Sequence, residues 1–516
     1  MGHGRDGLLQ DDDGGGGRGA DPVDRPSSSA ASPHGVAAGD LRGVGRGDLQ
    51  PAAAVAKPGT VVNESLVQQL ADCGQDHLLE DTEALDPVTL ERFERQLEAI
   101  DWEALRSLLD TWDGSWARVV EPDAVPELPH LVRQPEADSE QARACGEQRI
   151  ADGRVAVVTV AGGRGSRLGS DRPKGLLPVM PVSGRTFLEH FAACIGERSR
   201  RAGRAIPWLV MTSPETDGPT RTYFDQQQHF GLDPGQVVLF QQGTRPVVEI
   251  GTGRVLLSEP GRVATSPDGH GGLLEAMRRA ELFGWLGDRG VDSLFYHQVD
   301  NPAVLPPDPL LVGWHHLRGS QMTTRVVSRR TAEERMGVVL SVAGRTRIVE
   351  YIDVPQSVAA AGDGGRLRFW AGNIGVHVLD QQVLAHASGL PWHRVDRTVV
   401  HVPGHGSGQP IEPGAANAWQ FERFIFDLLP EIETGLVVEG DRGRDFLPVK
   451  QSRGTDSLES ARAGLLALHR SWLEAAGTSV HPEADVEITP SWALSAEEVL
   501  DRSGSDDAVQ ARTVFE

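Results

Sequence analysis

The stretch VAVVTVAGGRGSRLGSDRPKGLLPV, residues 155–179, decides the fold class. It begins with an uninterrupted apolar run, VAVVTVAG (155–162), which is typical of a strand buried on both faces of a parallel sheet. The run leads into a loop that carries four glycines and two cations, namely Gly162, Gly163, Gly165, Gly169, Arg167 and Lys174. Glycines let backbone N–H groups approach a polyphosphate, and the cations can neutralise its charge. The stretch therefore predicts a buried strand followed by a phosphate-binding loop.

The loop does not match two common phosphate-binding patterns. Position 168 is Leu, so the GxGxxG dinucleotide fingerprint is not met. Lys174 follows Pro173, so the GxxxxGK[ST] phosphate loop is not met either. For the glycines alone, a tight connection between two elements is an equal alternative. The nearby Arg167 and Lys174 favour a phosphate site.

The rest of the chain has the rhythm of an α/β fold. Three further apolar runs, WLVMTS (208–213), VVLFQQG (237–243) and SLFYHQVD (293–300), alternate with helical patterns. This alternation predicts βα units around a mixed, mainly parallel sheet. The β-rich segments that follow, such as MTTRVVSRR and RLRFWAGNIGVHVLD, predict an added antiparallel layer.

Changes in composition divide the chain into four predicted regions. Residues 1–62 are rich in Gly, Pro and Asp without periodicity, which predicts a disordered tail. Residues 63–135 carry amphipathic helical patterns, with Asp86 as the N-cap of a helix that starts at Pro87. Residues 136–445 contain the α/β pattern, and residues 446–516 form a small C-terminal domain.

Composition excludes several classes of function. The 516 residues contain 50 Lys+Arg and 73 Asp+Glu, a net charge of −23, which argues against a nucleic-acid partner. No apolar run reaches the roughly 18 to 20 residues that a membrane span needs, and the first residues lack an export signal. The three cysteines, Cys73, Cys145 and Cys194, are too scattered for a disulfide framework. We therefore expect a cytoplasmic protein; the oligomeric state stays open.

The glycine-rich loop resembles a family signature. GGRGSRLGSDRPK (162–174) is similar to the G-G-x-G-[ST]-R-L-G-x-x-x-P-K loop of the UDP-sugar pyrophosphorylases, in particular the UDP-N-acetylhexosamine pyrophosphorylases. Further segments resemble that family in chain order: PWLVMTS, VVLFQQGTRP, SPDGHGGLLEAM, FYHQVDNPAV, RMGVV, RIVEYID, WAGNIGVHVLD, WQFERFIFDLLP and DFLPVKQSRGTDS. The resemblance covers roughly residues 65 to 490.

The resemblance implies a fold and a reaction. Residues 136–445 would form a Rossmann-like, glycosyltransferase-A-like nucleotidyltransferase domain. The reaction would be Mg²⁺-dependent uridylyl transfer from UTP to a hexose 1-phosphate, giving pyrophosphate and a UDP-sugar, foremost UDP-N-acetylglucosamine. UDP-glucose or UDP-galactose synthesis is the alternative within the class. A catalytically silent UDP-sugar-binding protein is the alternative outside it, and Leu168 disfavours a dinucleotide-dependent oxidoreductase.

The resemblance also implies the nucleotide and phosphate site. Its nucleotide-binding residues would be Ala161, Gly162, Gly163, Gln242, Gly269 and Asp300, and its catalytic cations Arg167, Lys174 and Lys450. The residues themselves agree, because a strand-end amide at Gln241 or Gln242 can read the polar edge of uracil. Asp300 ends the run SLFYHQVD, where ligands bind in open α/β sheets, and its carboxylate suits Mg²⁺. There is no DxD pair to supply a second metal ligand.

The sugar side is implied by a second group of residues, His270, Gly337, Glu350, Tyr351 and Asn373. Glu350 can accept hydrogen bonds from adjacent hydroxyls, and the Asn373 amide can meet a hydroxyl or an N-acetyl group. Two departures from the family pattern bear on specificity and catalysis. Position 270 is His instead of Asn, and DRTVVHV replaces a K-K-I-P-Y element, which leaves Arg397 as the candidate cation there.

Overall fold

The computed structural model describes residues 63–110, 126–133, 136–354, 362–363, 366–406, 408–502 and 509–516. The predicted tail 1–62 and much of the connector before residue 136 lie outside the described residues. Val61–Glu516 forms one compact unit. The predicted boundaries at residues 135 and 445 therefore stay predictions.

Within the described residues, ten strands form the main sheet. In chain order they are β1 Leu131–Val132, β2 Val155–Val160, β3 Trp208–Thr212, β4 Val237–Gln241, β5 Ser293–Gln298, β6 Met322–Ser328, β7 Val338–Val342, β8 Arg345–Val349, β9 Ala371–Asp380 and β10 Gly435–Glu439. The four apolar runs predicted as buried strands are β2, β3, β4 and β5. These four predictions are confirmed.

The spatial order of the sheet is β1-β10-β6-β9-β5-β2-β3-β4. Neighbours are parallel except at β9, which runs antiparallel to both β5 and β6, and the β7–β8 hairpin attaches beside the start of β9. The mixed, mainly parallel α/β fold is confirmed. The predicted antiparallel pairing of the β-rich segments is confirmed at β7, β8 and β9, but these strands extend the main sheet and do not form an added layer. A period-2 pattern shows that a segment is a strand but not which sheet it joins.

Helices cover both faces of the sheet. They are α1 Glu64–Asp72, α2 Pro87–Glu98, α3 Trp102–Asp110, α4 Ser139–Ala151, α5 Phe187–Ala202, α6 Pro214–Gln226, α7 Leu273–Arg279, α8 Leu282–Gly287, α9 Pro309–Leu317, α10 Gln381–His386, α11 Arg442–Asp445, α12 Leu458–Ala475 and α13 Ala496–Arg502. Alternate residues of one strand enter different cores. Val157 packs in the core that contains α5, and Val158 packs in the core that contains α7. No helix of the described residues is long and apolar enough to cross a membrane.

Short strands outside the main sheet complete the fold. They pair as Thr244–Pro246 with Thr265–Pro267, Leu257–Glu259 with Arg262–Val263, Gly362–Asp363 with Arg366–Leu367, and Val486–Ile488 with Thr513–Phe515, while Val248–Glu249, Ala418–Glu422 and His393–Arg397 form a three-stranded sheet. The pair that includes Val486–Ile488 stabilises the C-terminal end against α12 and α13.

The N-terminal helical region is stabilised by a helix cap and by a hydrogen bond to the rest of the compact unit. The Asp86 side chain caps α2 by accepting the N–H groups of Val88 and Thr89 at 3.0 and 3.1 Å, which confirms the predicted N-cap. The Gln75 side chain accepts the Val255 N–H at 2.8 Å. Buried polar groups need such partners, so this region docks in one orientation.

Helices α4 and α9 approach each other at two glycines. A Cβ added at Gly313 would lie 1.6 Å from the Ala142 carbonyl oxygen, and one added at Gly146 would lie 1.8 Å from the Pro309 carbonyl oxygen. Both obstacles are backbone atoms, which cannot rotate away. Any side chain at these positions must push the helices apart.

We predict that Gly313→Ala destabilises the protein by about 3 kcal/mol, the upper part of the range for overpacking. The matched control is Gly284→Ala on exposed α8, where an added Cβ meets nothing within 4 Å. Ala in an open helical position is expected to gain about 0.5 to 1 kcal/mol. Melting temperatures of the two variants check the prediction, and equal melting temperatures would contradict it.

Candidate active site

The predicted site residues lie at the carboxyl edge of the main sheet. Ala161 follows β2, Gln242 follows β4, and Asp300 follows β5 by two residues. These three strands are in one parallel group, so their ends meet at the same edge. The antiparallel β9 begins at this edge, which brings Asn373 there as well.

The glycine-rich loop folds back on itself after β2. The Lys174 N–H donates to the Gly163 carbonyl at 3.0 Å, and the Gly165 N–H donates to the Arg172 carbonyl at 2.9 Å. Gly169 has φ +74°, a conformation that favours glycine. The loop is therefore a closed structure with Lys174 at its base, directed by a short 3₁₀ turn, Lys174–Leu176.

Gln242 packs directly against this loop. A Cβ at Gly162 would lie 3.1 Å from the Gln242 Nε2, so only glycine leaves the amide this close to the loop backbone. Gln242 is buried, whereas the neighbouring Gln241 is exposed, as alternation along a strand requires. Between the two candidate amides, the structure places Gln242 beside the loop.

Asp300 connects three parts of the site. Its Oδ2 lies 3.4 Å from the Lys174 Nζ, and both side chains are 16 % exposed. Its backbone carbonyl accepts the Val449 N–H at 2.8 Å, which fixes the segment that carries Lys450. The adjacent Asn301 side chain donates to the Asp445 carbonyl at 2.8 Å and accepts the Leu447 N–H at 3.0 Å. The turn at Asp300 thus contacts the Lys174 side chain directly and fixes the backbone beside Lys450, whose Nζ lies 5.4 Å from the Phe446 ring centroid.

The turn around Gly269 is anchored to the segment after Ala418–Glu422. Gly269 has φ +80°, and a Cβ there would lie 2.5 Å from the Arg423 carbonyl oxygen. The Asp268 Oδ2 pairs with the Arg423 guanidinium at 2.9 Å, with the two side chains 5 % and 9 % exposed. Backbone hydrogen bonds join the same residues, because the Arg423 N–H donates to the Asp268 carbonyl at 2.9 Å.

His270 lies in an aromatic environment. Its ring stacks on Phe424 with centroids 5.2 Å apart and contacts Phe426 at 5.4 Å. Burial lowers the pKa of His270 to about 4, so the imidazole is neutral near pH 7. Its Nδ1 accepts the Ile425 N–H at 3.2 Å, which leaves the ring proton on Nε2. His270 is therefore a neutral hydrogen-bond donor.

Gly337, Glu350 and Asn373 converge on one point. A Cβ at Gly337 would lie 3.5 Å from the Glu350 Oε1 and 3.8 Å from the Asn373 Cβ. The Asn373 N–H donates to the Gly337 carbonyl at 2.8 Å, and its Oδ1 accepts the Gly375 N–H at 3.0 Å. Among the side chains of these three residues, the Asn373 amide nitrogen is the donor that remains for a ligand.

The Glu350 carboxyl group is strongly perturbed. Burial raises the pKa of Glu350 to about 7, and the positive charge of Lys450 opposes this rise. The effect of Lys450 on Glu350 links the predicted sugar group to the cations around Asp300. Perturbed carboxyl groups in a cleft are frequent at functional sites.

Two of the predicted residues lie at the rim. Arg167 is exposed on the loop, and Tyr351 is 36 % exposed at the start of a 3₁₀ turn. Within the described residues, no hydrogen bond joins either side chain to Lys174, Asp300 or Glu350. The Arg397 Nη2 lies 3.5 Å from the Glu422 Oε1, in a partly exposed ion pair.

The structure also reveals residues that the sequence interpretation missed. Asp268 and Arg423 hold the Gly269 turn, and Asn301 holds the Lys450 segment. Each occurs inside a segment with family resemblance, SPDGHGG, WQFERF and FYHQVDN. Asp268 and Asn301 are polar residues next to the predicted ligands Gly269 and Asp300, which was an available signal, whereas Arg423 has no such neighbour.

This arrangement defines a nucleotidyltransferase type of α/β protein, with a glycine-rich loop and a lysine after the first buried strand and a carboxylate after β5. Residues 113–497 match the family described as UTP–glucose-1-phosphate uridylyltransferase. This match spans more than half of the chain, and the protein belongs to this family of UDP-sugar pyrophosphorylases.

Individual relatives agree with the family match. The chain is 30 % identical over 381 residues to a UDP-N-acetylglucosamine pyrophosphorylase of Saccharomyces cerevisiae, covering 70 % of this chain and 79 % of that protein. It is 32 % identical over 434 residues to human UDP-N-acetylhexosamine pyrophosphorylase-like protein 1, covering 79 % of this chain and 85 % of that protein. A crystal structure of a Trypanosoma brucei UDP-N-acetylglucosamine pyrophosphorylase superposes with a TM-score of 0.70 at 22 % identity. The superposition covers 86 % of this chain and 95 % of that protein, which supports the fold.

We predict that Arg423→Met destabilises the protein by about 3 to 5 kcal/mol, because it leaves the buried Asp268 carboxylate without its partner. Arg397→Met is the control, since its partly exposed pair with Glu422 is worth at most about 1 kcal/mol. Urea unfolding of both variants measures the difference. A loss for Arg423→Met no larger than for the control would show that the pair does not hold the turn.

Proposed function

We propose that the protein transfers the uridylyl group of UTP to a hexose 1-phosphate, with UDP-N-acetylglucosamine as the principal product. The observation that supports this most is the placement of Lys174, Asp300 and Lys450 around one turn, beside the Gly162–Gln242 contact. The named relatives from yeast and human support the N-acetylhexosamine assignment.

The reaction requires charge neutralisation more than covalent help from the protein. A phosphate oxygen of the sugar 1-phosphate forms a bond to the α-phosphorus of UTP, and the bond from that phosphorus to the bridging oxygen breaks. Pyrophosphate leaves with the bonding electrons. In such a transfer, positioning and stabilisation of developing charge supply most of the rate.

On the nucleotide side, we assign the uracil edge to the Gln242 amide and the backbone of Ala161, Gly162 and Gly163. The amide lies against the loop, so a base held there would place its phosphates along the loop towards Lys174. Gly269 would approach the base from the turn after Asp268, whose N–H donates to the carbonyl of Gly243, next to Gln242, at 3.0 Å. Arg167, on the exposed part of the loop, would meet the outer phosphates.

Mg²⁺ fits the phosphate end of this site. Asp300 supplies one carboxylate beside Lys174, and Mg²⁺ usually takes one or two carboxylates and completes its shell with water and substrate phosphates. When bound, the ion would neutralise charge on the pyrophosphate that leaves. Asp300 would hold it, and Lys174 would contact the α-phosphate.

On the sugar side, the Glu350 carboxylate would accept sugar hydroxyls and the Asn373 amide nitrogen would donate. Gly337 leaves open the space between them. Tyr351 would close the rim from its exposed position. The His270 Nε2–H is a donor, so it can meet the carbonyl of an N-acetyl group as an Asn amide would.

UDP-glucose or UDP-galactose synthesis is the competing assignment, and the family description itself names glucose 1-phosphate. A silent UDP-sugar-binding protein is the other, but it would not need two lysines at the phosphates. We place the reaction in the cytoplasm. Pyrophosphate release from UTP and Mg²⁺ with N-acetylglucosamine, glucose and galactose 1-phosphates separates the three assignments, and no release with any sugar would support the silent binder.

We predict that Lys174→Ala lowers kcat by about 10² to 10³, the effect of removing one preorganised cation from the transition state. Arg164→Ala is the matched control on the same loop, because Arg164 is exposed and pairs with Glu215 at 3.3 Å. Pyrophosphate release measures both, and melting temperatures report folding. Near-normal turnover in Lys174→Ala would remove this residue from the mechanism.

Asp300→Asn tests the metal assignment. We expect a large rise in the Mg²⁺ concentration needed for half-maximal rate, because a neutral amide binds Mg²⁺ far less well than a carboxylate. A Mg²⁺ titration of pyrophosphate release measures this shift. An unchanged titration would contradict the role of Asp300 as a ligand.

The pKa of Glu350 predicts a pH effect on sugar use. Below its pKa of about 7 the carboxyl is protonated, and above it the ionised form accepts two hydroxyls. We therefore expect kcat/KM for the sugar 1-phosphate to rise from pH 6 to pH 8. Glu350→Gln cannot ionise, so its profile should show only the ionisation of the substrates. Superimposable wild-type and Glu350→Gln profiles would refute this role.

A further inference from the structure

A further cavity, of about 110 Å³, lies outside the predicted active-site residues. Its lining side chains come from strands β5, β6 and β9, from helices α4, α5, α9 and α11, and from the C-terminal helices α12 and α13. Its apolar walls include Phe295, Leu310, Ile374, Leu468 and Trp472. None of the predicted active-site residues lines it.

The cavity is also lined by charged side chains, namely Arg143, Arg198, Arg325, Arg444, Asp308, Asp445 and Glu497. Two of these arginines are neutralised by neighbouring carboxylates. Arg325 pairs with Asp308 at 2.7 Å and with Asp445 at 3.4 Å, and the Arg444 Nε donates to Asp445 at 2.8 Å. The negative charges of Asp308 and Asp445 are therefore compensated by Arg325 and Arg444.

The other two arginines interact with carboxylates only at longer range, Arg143 with Glu497 and Arg198 with Asp308 and Glu498. Within the described part of the chain, neither Arg143 nor Arg198 has a carboxylate oxygen within 4.0 Å. The Arg198 Nε is buried without a hydrogen-bond partner, and burial lowers the pKa of its guanidinium. A buried donor without a partner is costly, and a guanidinium fork matches a carboxylate or a phosphate.

We propose that this cavity is a second binding site, specific for a small organic anion that joins one carboxylate or phosphate to a compact apolar body. The anionic group would bind between Arg143 and Arg198, and the apolar body would contact the Phe295 and Trp472 walls. The cavity is smaller than an engineered cavity of roughly 150 Å³ that holds a benzene ring. A short branched chain or the inner part of a single ring therefore suits this site, with its charged end towards solvent.

The position of the cavity predicts an effect on turnover. Asp445 lies in its wall, and the Asp445 carbonyl accepts the Asn301 side chain at 2.8 Å. Asn301 directly follows Asp300, and its Oδ1 also holds the segment that leads to Lys450. An anion that shifts the Arg325–Asp445–Arg444 group would therefore move both sides of the active site.

Melting temperatures of the full-length protein test the proposal with benzoate and phenyl phosphate as probes. Benzamide is the neutral probe of the same shape. We expect both anions, at saturation, to raise the melting temperature by at least about 2 °C. The shift should be lost in Arg143→Gln and Arg198→Gln and kept in Arg200→Gln, an exposed position on the same helix as Arg198.

Lys174→Ala separates this site from the active site. A shift that survives Lys174→Ala and disappears in the two cavity variants would support the proposal. No shift with either anion, an equal shift with benzamide, or a shift lost only in Lys174→Ala would overturn it. If Arg198→Gln does not fold, Ala496→Phe fills the cavity wall without removing a charge and should abolish the same shift.

A second readout concerns the effect on turnover and rests on the proposed uridylyl transfer. We expect a saturating anion probe to change kcat at least twofold in the wild type and not in Arg143→Gln. Unchanged kcat despite a melting shift would overturn the coupling through Asn301. The melting shift does not depend on the reaction, so failure of the proposed function and failure of the second site remain distinguishable.

Discussion

The contact between Lys174 and Asp300 joins the two segments that every part of the active site depends on. Lys174 ends the glycine-rich loop after β2, and Asp300 follows β5, which is paired with β2 in parallel. The carbonyl of the same aspartate fixes the backbone next to Lys450. One short turn thus contacts Lys174 and fixes the backbone beside Lys450, although the two lysines lie 276 positions apart in the chain, since 450 − 174 = 276. In the proposed reaction, substrate phosphates would meet charges that are already in place, so little reorganisation would be needed.

The reversed direction of β9 brings the residues proposed to bind the sugar to the same edge of the sheet as those proposed to bind the phosphates. In a wholly parallel sheet the start of this strand would lie at the opposite edge, far from Asp300. Because β9 runs antiparallel to β5, Asn373 lies at the carboxyl edge and Gly375 packs against Gln298. The β7–β8 hairpin then places Gly337 and Glu350 beside Asn373. Glu350 experiences both its own burial and the charge of Lys450, so its protonation depends on both halves of the site.

Local sequence patterns predicted the features that depend on local physics. The four buried strands, the glycine-rich loop and the Asp86 cap follow from apolar runs, backbone freedom and capping chemistry. Tertiary pairing could not be predicted in this way. Asp268 and Arg423 are 155 positions apart, and nothing in either segment alone shows that they meet. The neutral state of His270 and the raised pKa of Glu350 arise from burial among distant aromatic and charged groups. The direction of β9, and its place in the main sheet, also depend on pairing partners.

We propose that the Gly162–Gln242 contact and the Lys174–Asp300 turn together hold UTP at the carboxyl edge of the sheet. A crystal structure of the protein with UTP and Mg²⁺ would show whether they do. We expect uracil hydrogen-bonded to the Gln242 amide, an α-phosphate oxygen within about 3 Å of the Lys174 Nζ, and Mg²⁺ on the Asp300 carboxylate. A nucleotide bound elsewhere, with the Lys174–Asp300 contact undisturbed and no phosphate near either residue, would contradict it.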